Sequence, residues 1–151
     1  MEFEIGNTYR LEIEGLTQEG AGVGRLEGMA AFVPRALPGE LVEVELIQLK
    51  RNYGVARLVE LIRPAAARIK PRCRHYAHCG GCQLQHLDYG KQLEEKTKRV
   101  QEVLARIGKL ENFVLKPTLG MEEPWYYRNK AQLHVGMMEG KVRLCSKKLI
   151  R

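Results

Sequence analysis

Cysteine is scarce in this chain: there are four in 151 residues, beside one tryptophan and 7% aromatics. No apolar run is long enough to cross a bilayer as a helix. No secretory signal is found at Met1-Glu2-Phe3-Glu4, so the expected setting is the reducing cytosol, where a disulfide framework is disfavoured. No repeat and no low-complexity segment is present. Acidic residues are absent from one stretch altogether: between Arg63 and Arg74 there are five basic groups and no carboxylate. The length bounds the molecule to one domain, or one small domain and part of another.

The charge that is present is divided unevenly. Residues 1–62 hold 6 basic and 10 acidic groups, and residues 63–151 hold 19 and 8, so the net charge passes from −4 to +11. Such an asymmetry points to a polyanionic partner met mainly by the second part.

The first 62 residues read as strands. Tyr9, Leu11 and Ile13 alternate with polar groups, and Gly20-Ala21-Gly22-Val23-Gly24 is too glycine-rich for a helix. Met29 to Val33 is a short apolar run before Pro34. Leu37-Pro38-Gly39-Glu40 is a turn; Leu41 to Leu49 and Val55 to Ile62 are extended, with a turn at Asn52-Tyr53-Gly54. Five short strands without a helix predict a small closed β-barrel. On its surface Arg25, Phe32, Arg35, Lys50, Arg51 and Tyr53 are a candidate patch.

Residues 63–74 read as a basic connector. Arg63, Arg68, Lys70, Arg72 and Arg74 are candidate phosphate contacts. Tyr89 to Ile107 has helical spacing, with Asp88 as N-cap, Gly108 at the C′ position and the i,i+4 pairs Glu94–Lys98, Glu95–Arg99 and Glu102–Arg106. Residues 109–123 carry little pattern. Trp125 to Val135 reads as extended, and Lys141 to Cys145 as a further strand. Arg128 and Lys130 follow Trp125-Tyr126-Tyr127, and this mixture of cations and rings suits single-stranded RNA.

Three of the four cysteines stand within ten residues, Cys73-x5-Cys79-x2-Cys82. Thiolates are soft ligands, and Gly80-Gly81 lets several sulfurs turn toward one point. Zinc and an iron–sulfur cluster both fit this donor set, and His75, His78 and His86 would serve as ligands in a zinc site.

Cys73-x5-Cys79-Gly-Gly-Cys82-Gln-Leu-Gln-His86, a following helix, and Tyr127-Arg128-Asn129-Lys130-Ala131-Gln132 together resemble the RNA uracil-C5-methyltransferases, in particular their ribosomal-RNA branch. Gly20 to Arg25, Phe32-Val33-Pro34 and Leu37-Pro38-Gly39-Glu40 look like the TRAM domain with which those enzymes begin, a five-stranded barrel of the oligonucleotide-binding type. The resemblance implies an α+β fold: a TRAM barrel over 1–62; a basic linker, cysteine loop and helix over 63–108; and the start of a β-rich central region over 109–151. It implies a [4Fe–4S] cluster with Cys73, Cys79 and Cys82 as ligands, the histidines then not ligating. It implies S-adenosylmethionine as donor, ribosomal RNA as partner, and Gln132 near the target uracil. It also implies a nucleophilic cysteine and a carboxylate base, because C5 of uracil becomes nucleophilic only after a thiolate adds at C6.

No glycine-rich donor-binding loop and no aspartate-proline catalytic segment occur in these 151 residues. The chain therefore resembles an amino-terminal fragment, binding RNA without catalysing by itself. The family's fourth cluster cysteine lies beyond the hairpin that starts near Lys141, and Cys145 comes earlier. The alternatives are a stand-alone nucleic-acid-binding module with a structural zinc site, and a protein-interaction adaptor whose barrel binds no RNA.

Overall fold

The computed structural model describes residues 3–79, 81–127, 129–130, 133–138 and 140–145. It divides into two units. The first is residues 1–72 with 83–86, and the second is residues 73–82 with 87–151. Residues 63–72, expected to be a connector, thus cluster with the barrel.

The first unit is a closed barrel of β1 (Thr8–Leu16), β2 (Ala21–Leu26), β3 (Met29–Pro34), β4 (Leu41–Leu49) and β5 (Tyr53–Arg63), in the order β1-β2-β3-β5-β4. All five expected strands form. Period-two burial drives them: Val42, Val44 and Leu46 on β4 are fully buried, and Leu11 and Ile13 do the same on β1. Neighbours pair antiparallel except β3 with β5, which run parallel, Ala30 beside Tyr53 and Phe32 beside Val55. At the Leu37–Glu40 turn Gly39 takes φ 84°, a left-handed conformation in which a Cβ is strained.

Strand β2 owes its glycines to close packing against β1. A Cβ on Gly24 would lie 2.3 Å from Leu11 Cδ1 and 2.6 Å from the Glu12 carbonyl oxygen. Leu11 can rotate but the backbone oxygen cannot, so Gly24→Ala is expected to destabilise the barrel by about 1–3 kcal/mol. A urea titration of the full chain checks this; a midpoint equal to the wild type's would show that β1 and β2 separate without cost.

In the second unit, α1 (Tyr76–Cys79) is a single turn within the cysteine loop, and α2 (Tyr89–Arg106) is the long helix. Asp88 caps α2 as expected, its side chain accepting from the Lys91 amide at 3.2 Å. The other end departs from expectation. The left-handed residue is Lys109 (φ 50°), not Gly108. Gly108 is required instead for space, since a Cβ there would meet the Leu104 carbonyl oxygen at 2.8 Å. The ion pair formed on the helix is Lys91–Glu94, at 2.6 Å, and not the three expected i,i+4 pairs. Exposed long side chains gain too little from such pairs to be held in them.

Residues 118–121, featureless in sequence, are fastened to α2. Thr118 donates its amide to Thr97 Oγ1 at 3.0 Å, the two threonine hydroxyls lie 2.8 Å apart, and the Met121 amide donates to the Tyr89 hydroxyl at 2.9 Å. A hairpin of β6 (His134–Met138) and β7 (Lys141–Cys145) follows, with Val135 beside Leu144 and Met137 beside Val142. Among the described residues of the stretch expected to be extended, Trp125 to Val135, His134 and Val135 are in a strand. Among the described residues no helix is long and apolar enough to cross a membrane.

Candidate nucleic-acid interface and cysteine loop

The segment leaving β5 is held by a buried charge. Glu40, directly after the Pro38-Gly39 turn, is 0% exposed. Its carboxylate takes both Nε and Nη2 of Arg68, at 2.5 and 2.8 Å, and accepts the amides of Leu37 at 2.8 Å and Ala65 at 3.3 Å. Arg68 Nη2 also donates to the Arg35 carbonyl oxygen at 2.7 Å, which fixes Arg35 in a left-handed conformation (φ 70°). Burial alone would raise the Glu40 pKa. The Arg68 hydrogen bond, the two amides and the Arg68 charge outweigh it, and the carboxyl is held below its usual range.

His86 completes this node. Burial, then the Arg68 charge, lowers its pKa from 6.5 to about 4, against the opposing effects of Glu40 and of a hydrogen bond at the Arg35 backbone. Its carbonyl accepts the Ile69 amide at 2.9 Å, while a Cβ on Gly20 would touch Gln83 and Leu84 at 3.1 and 3.2 Å. The chain therefore leaves the first unit after Arg72 and rejoins it at Gln83, with both ends anchored.

Arg68, a candidate phosphate contact in the sequence, is committed to Glu40 in the structure, with its side chain 21% exposed. Arg63 pairs with Glu12 at 2.8 Å, but both are exposed, and such a pair is exchangeable. Lys70, Arg72 and Arg74 are exposed, with Arg74 Nε donating to His75 Nε2 at 3.0 Å. Lys130 is exposed, as are the rings of Tyr126 and Tyr127. Arg128 and Gln132 lie outside the described residues. Among the described residues the exposed candidates for phosphate are Arg63, Lys70, Arg72, Arg74 and Lys130.

Cys73 and Cys82 are exposed and Cys79 is partly buried, none of them in a disulfide. The turn of α1 is closed by the Tyr76 amide on the Cys73 carbonyl (3.1 Å) and the Cys79 amide on the His75 carbonyl (2.8 Å). Among the described residues no three His, Cys, Asp or Glu side chains stand at ligating geometry. The donor chemistry of the loop is that of three thiolates, three of the four that a four-iron cluster takes.

The Glu40–Arg68–His86 node escaped sequence reasoning. Its single signal was an acid placed immediately after a Pro-Gly turn, where a solvated side chain reads the same way.

Residues 2–59 match the family model of the TRAM domain, and the five-stranded barrel is a TRAM domain. The chain is 48% identical over 134 residues to an uncharacterized RNA methyltransferase of Halalkalibacterium halodurans, covering 89% of this chain and 29% of that protein. It is 50% identical over 135 residues to one of Listeria monocytogenes, covering 89% and 30%. The chain thus spans under a third of the length of the curated relatives it matches. Among solved structures, a Pyrococcus abyssi tRNA (uracil-54, C5)-methyltransferase bound to S-adenosyl-L-homocysteine is 32% identical, with 64% of this chain and 21% of that chain covered at a TM-score of 0.46.

Proposed function

We propose that this chain is the RNA-binding, amino-terminal portion of an S-adenosylmethionine-dependent RNA (uracil-C5-)methyltransferase acting on 23S ribosomal RNA, working in the cytoplasm and not catalytic by itself. The observation that carries the reading is near-half identity, across 89% of the chain, to proteins named RNA methyltransferases, on a chain that opens with a TRAM barrel. The exposed cations Lys70, Arg72, Arg74 and Lys130 support contact with phosphate. Arg128 and Gln132 join them in the proposal on sequence alone, and the ribosomal target rests on the resemblance of the Tyr127–Gln132 segment.

Cys73, Cys79 and Cys82 would hold a [4Fe–4S] cluster, whose thiolate ligation supplies a rigid cross-link of the loop. The chain's own part is to present the three sulfurs around one helical turn, on a segment whose ends are tied down at Arg68 and His86. Zinc is the other occupant the donor set admits.

Two measurements test the reading. Anaerobic reconstitution of the full chain should give iron and acid-labile sulfide, and Cys79→Ser should lower both; bound zinc with no sulfide, or iron indifferent to that substitution, contradicts the cluster. Labelled methyl transfer from S-adenosylmethionine to ribosomal RNA should not exceed a protein-free control with this chain alone. Turnover would contradict the division of labour proposed.

A further inference from the structure

Burial fixes which way the side chains of β3 and β5 point. Ala31, Val33 and Ala56 are fully buried and Gly54 is buried with them, so Ala30, Phe32, Tyr53 and Val55 face outward. The Phe32 and Tyr53 rings meet there, centroids 5.3 Å apart and planes inclined by 54°, with Tyr53 36% exposed. Strand β2 continues the same face, Arg25 beside Ala30 and Val23 beside Phe32. Arg25, Ala30 and Tyr53 therefore form one row across three strands, with a small residue between a cation and a ring.

The β4–β5 turn adds charge at the end of this row. Closed by the Lys50 amide on the Tyr53 carbonyl at 2.9 Å, it sets Lys50 and Arg51, both exposed, just ahead of Tyr53. Among the described residues neither is in an ion pair, whereas Arg10, Arg57 and Arg63 are paired to Glu43, Glu45 and Glu12. Arg25 is 61% exposed at its side chain, pairs with exposed Glu14 at 3.5 Å and donates Nη1 to the Gly28 carbonyl oxygen at 3.1 Å. On a barrel of net negative charge, two cations outside any described ion pair, Lys50 and Arg51, thus sit beside the exposed Tyr53 ring and the half-buried Phe32.

We propose that this face is a base-stacking subsite for single-stranded RNA: Tyr53, backed by Phe32, takes the face of one base, and Lys50, Arg51 and Arg25 meet the flanking phosphates. The inference rests on the RNA-binding reading above and gives the barrel its own part in it. A ring with no polar lining accepts any base, because every base has a π-face, so the subsite would add affinity with little sequence preference. The segment must be unpaired, since bases inside a helix have no free face to offer. An acidic protein segment would match the cations but would leave the rings without a role.

The test is binding of the full chain to a short uridine oligomer and to an abasic oligomer with the same phosphates. Stacking on one ring is expected to make the uridine strand about tenfold tighter. Tyr53→Leu should remove that advantage and leave abasic binding unchanged, while Tyr53→Phe, which keeps the ring, retains it. Lys50→Glu with Arg51→Glu should weaken both strands. If uridine binds well but Tyr53→Leu binds it as the wild type does, the subsite is wrong and RNA binding stands. Should the wild type bind neither strand, both ideas fall. Competition by polyglutamate that ignores Tyr53 would assign the face to a protein partner instead.

Discussion

Arg68→Met should lower the melting temperature of the barrel by more than about 10 °C. The substitution leaves the Glu40 carboxylate fully buried with two amides and no cation. Removing one partner of a buried pair costs about 3–5 kcal/mol, because the remaining charge is stranded in a poor solvent. On a domain of this size each kcal/mol is worth roughly 4–8 °C. Glu40→Gln combined with Arg68→Met should recover much of the loss: the amide oxygen still accepts a backbone N–H and no charge remains. The two substitutions should therefore be coupled by more than about 1 kcal/mol in a double-mutant cycle. Melts of the full chain followed by circular dichroism provide the reading. Additive effects, or a midpoint within about 2 °C of the wild type's after Arg68→Met, would mean that Glu40 and Arg68 are not held as a pair in solution.

The second large effect is acid sensitivity with an assignable cause. His86 has a folded pKa of about 4 against 6.5 for the ordinary imidazole. The unfolded chain then binds a proton that the folded chain refuses, so stability is full above pH 6.5 and falls as pH drops toward 4. A shift of that size corresponds to about 3 kcal/mol lost across the window. From pH 4.5 downward Glu40 adds a further loss, since a carboxyl whose folded pKa is depressed gives up its stabilisation as pH falls through that pKa. Urea midpoints of the full chain at stepped pH should decline accordingly. His86→Gln, which keeps a donor but cannot titrate in this range, should flatten the decline between pH 6.5 and 4. An unaltered decline in that variant would place the titrating group elsewhere.

The barrel was legible because its information is local. Val42, Val44 and Leu46 announce a strand by alternation, and Pro38-Gly39 announces its turn within four residues. Closure was legible only as a class. The parallel pairing of β3 with β5 joins Ala30 to Tyr53, and no short-range pattern encodes that register. The same limit hid the node. A guanidinium in a run of basic residues looks the same whether it meets phosphate or a carboxylate 28 residues earlier, and Arg68 meets the carboxylate. The strap of residues 118–121 was invisible because threonine hydroxyls and a tyrosine hydroxyl bear it, with no apolar period. The cysteine spacing was plain from the start, but spacing gives donors and not their convergence, and no described trio stands at ligating geometry.

RNA binding by the basic segment can be measured directly as a salt titration. Equilibrium binding of the full chain to a single-stranded ribosomal RNA fragment, followed from low to physiological potassium chloride, should give a straight line of log K against log salt. Three to four phosphate contacts from the exposed set Lys70, Arg72, Arg74 and Lys130 correspond to a slope of about −2 to −3. Charge reversal of Lys70 and Arg72 should make that slope shallower, while Arg68→Met, whose guanidinium is spent on Glu40, should leave it unchanged in protein that remains folded. A flat line would contradict the account, because the cations of the segment would then not be releasing counterions from an RNA backbone.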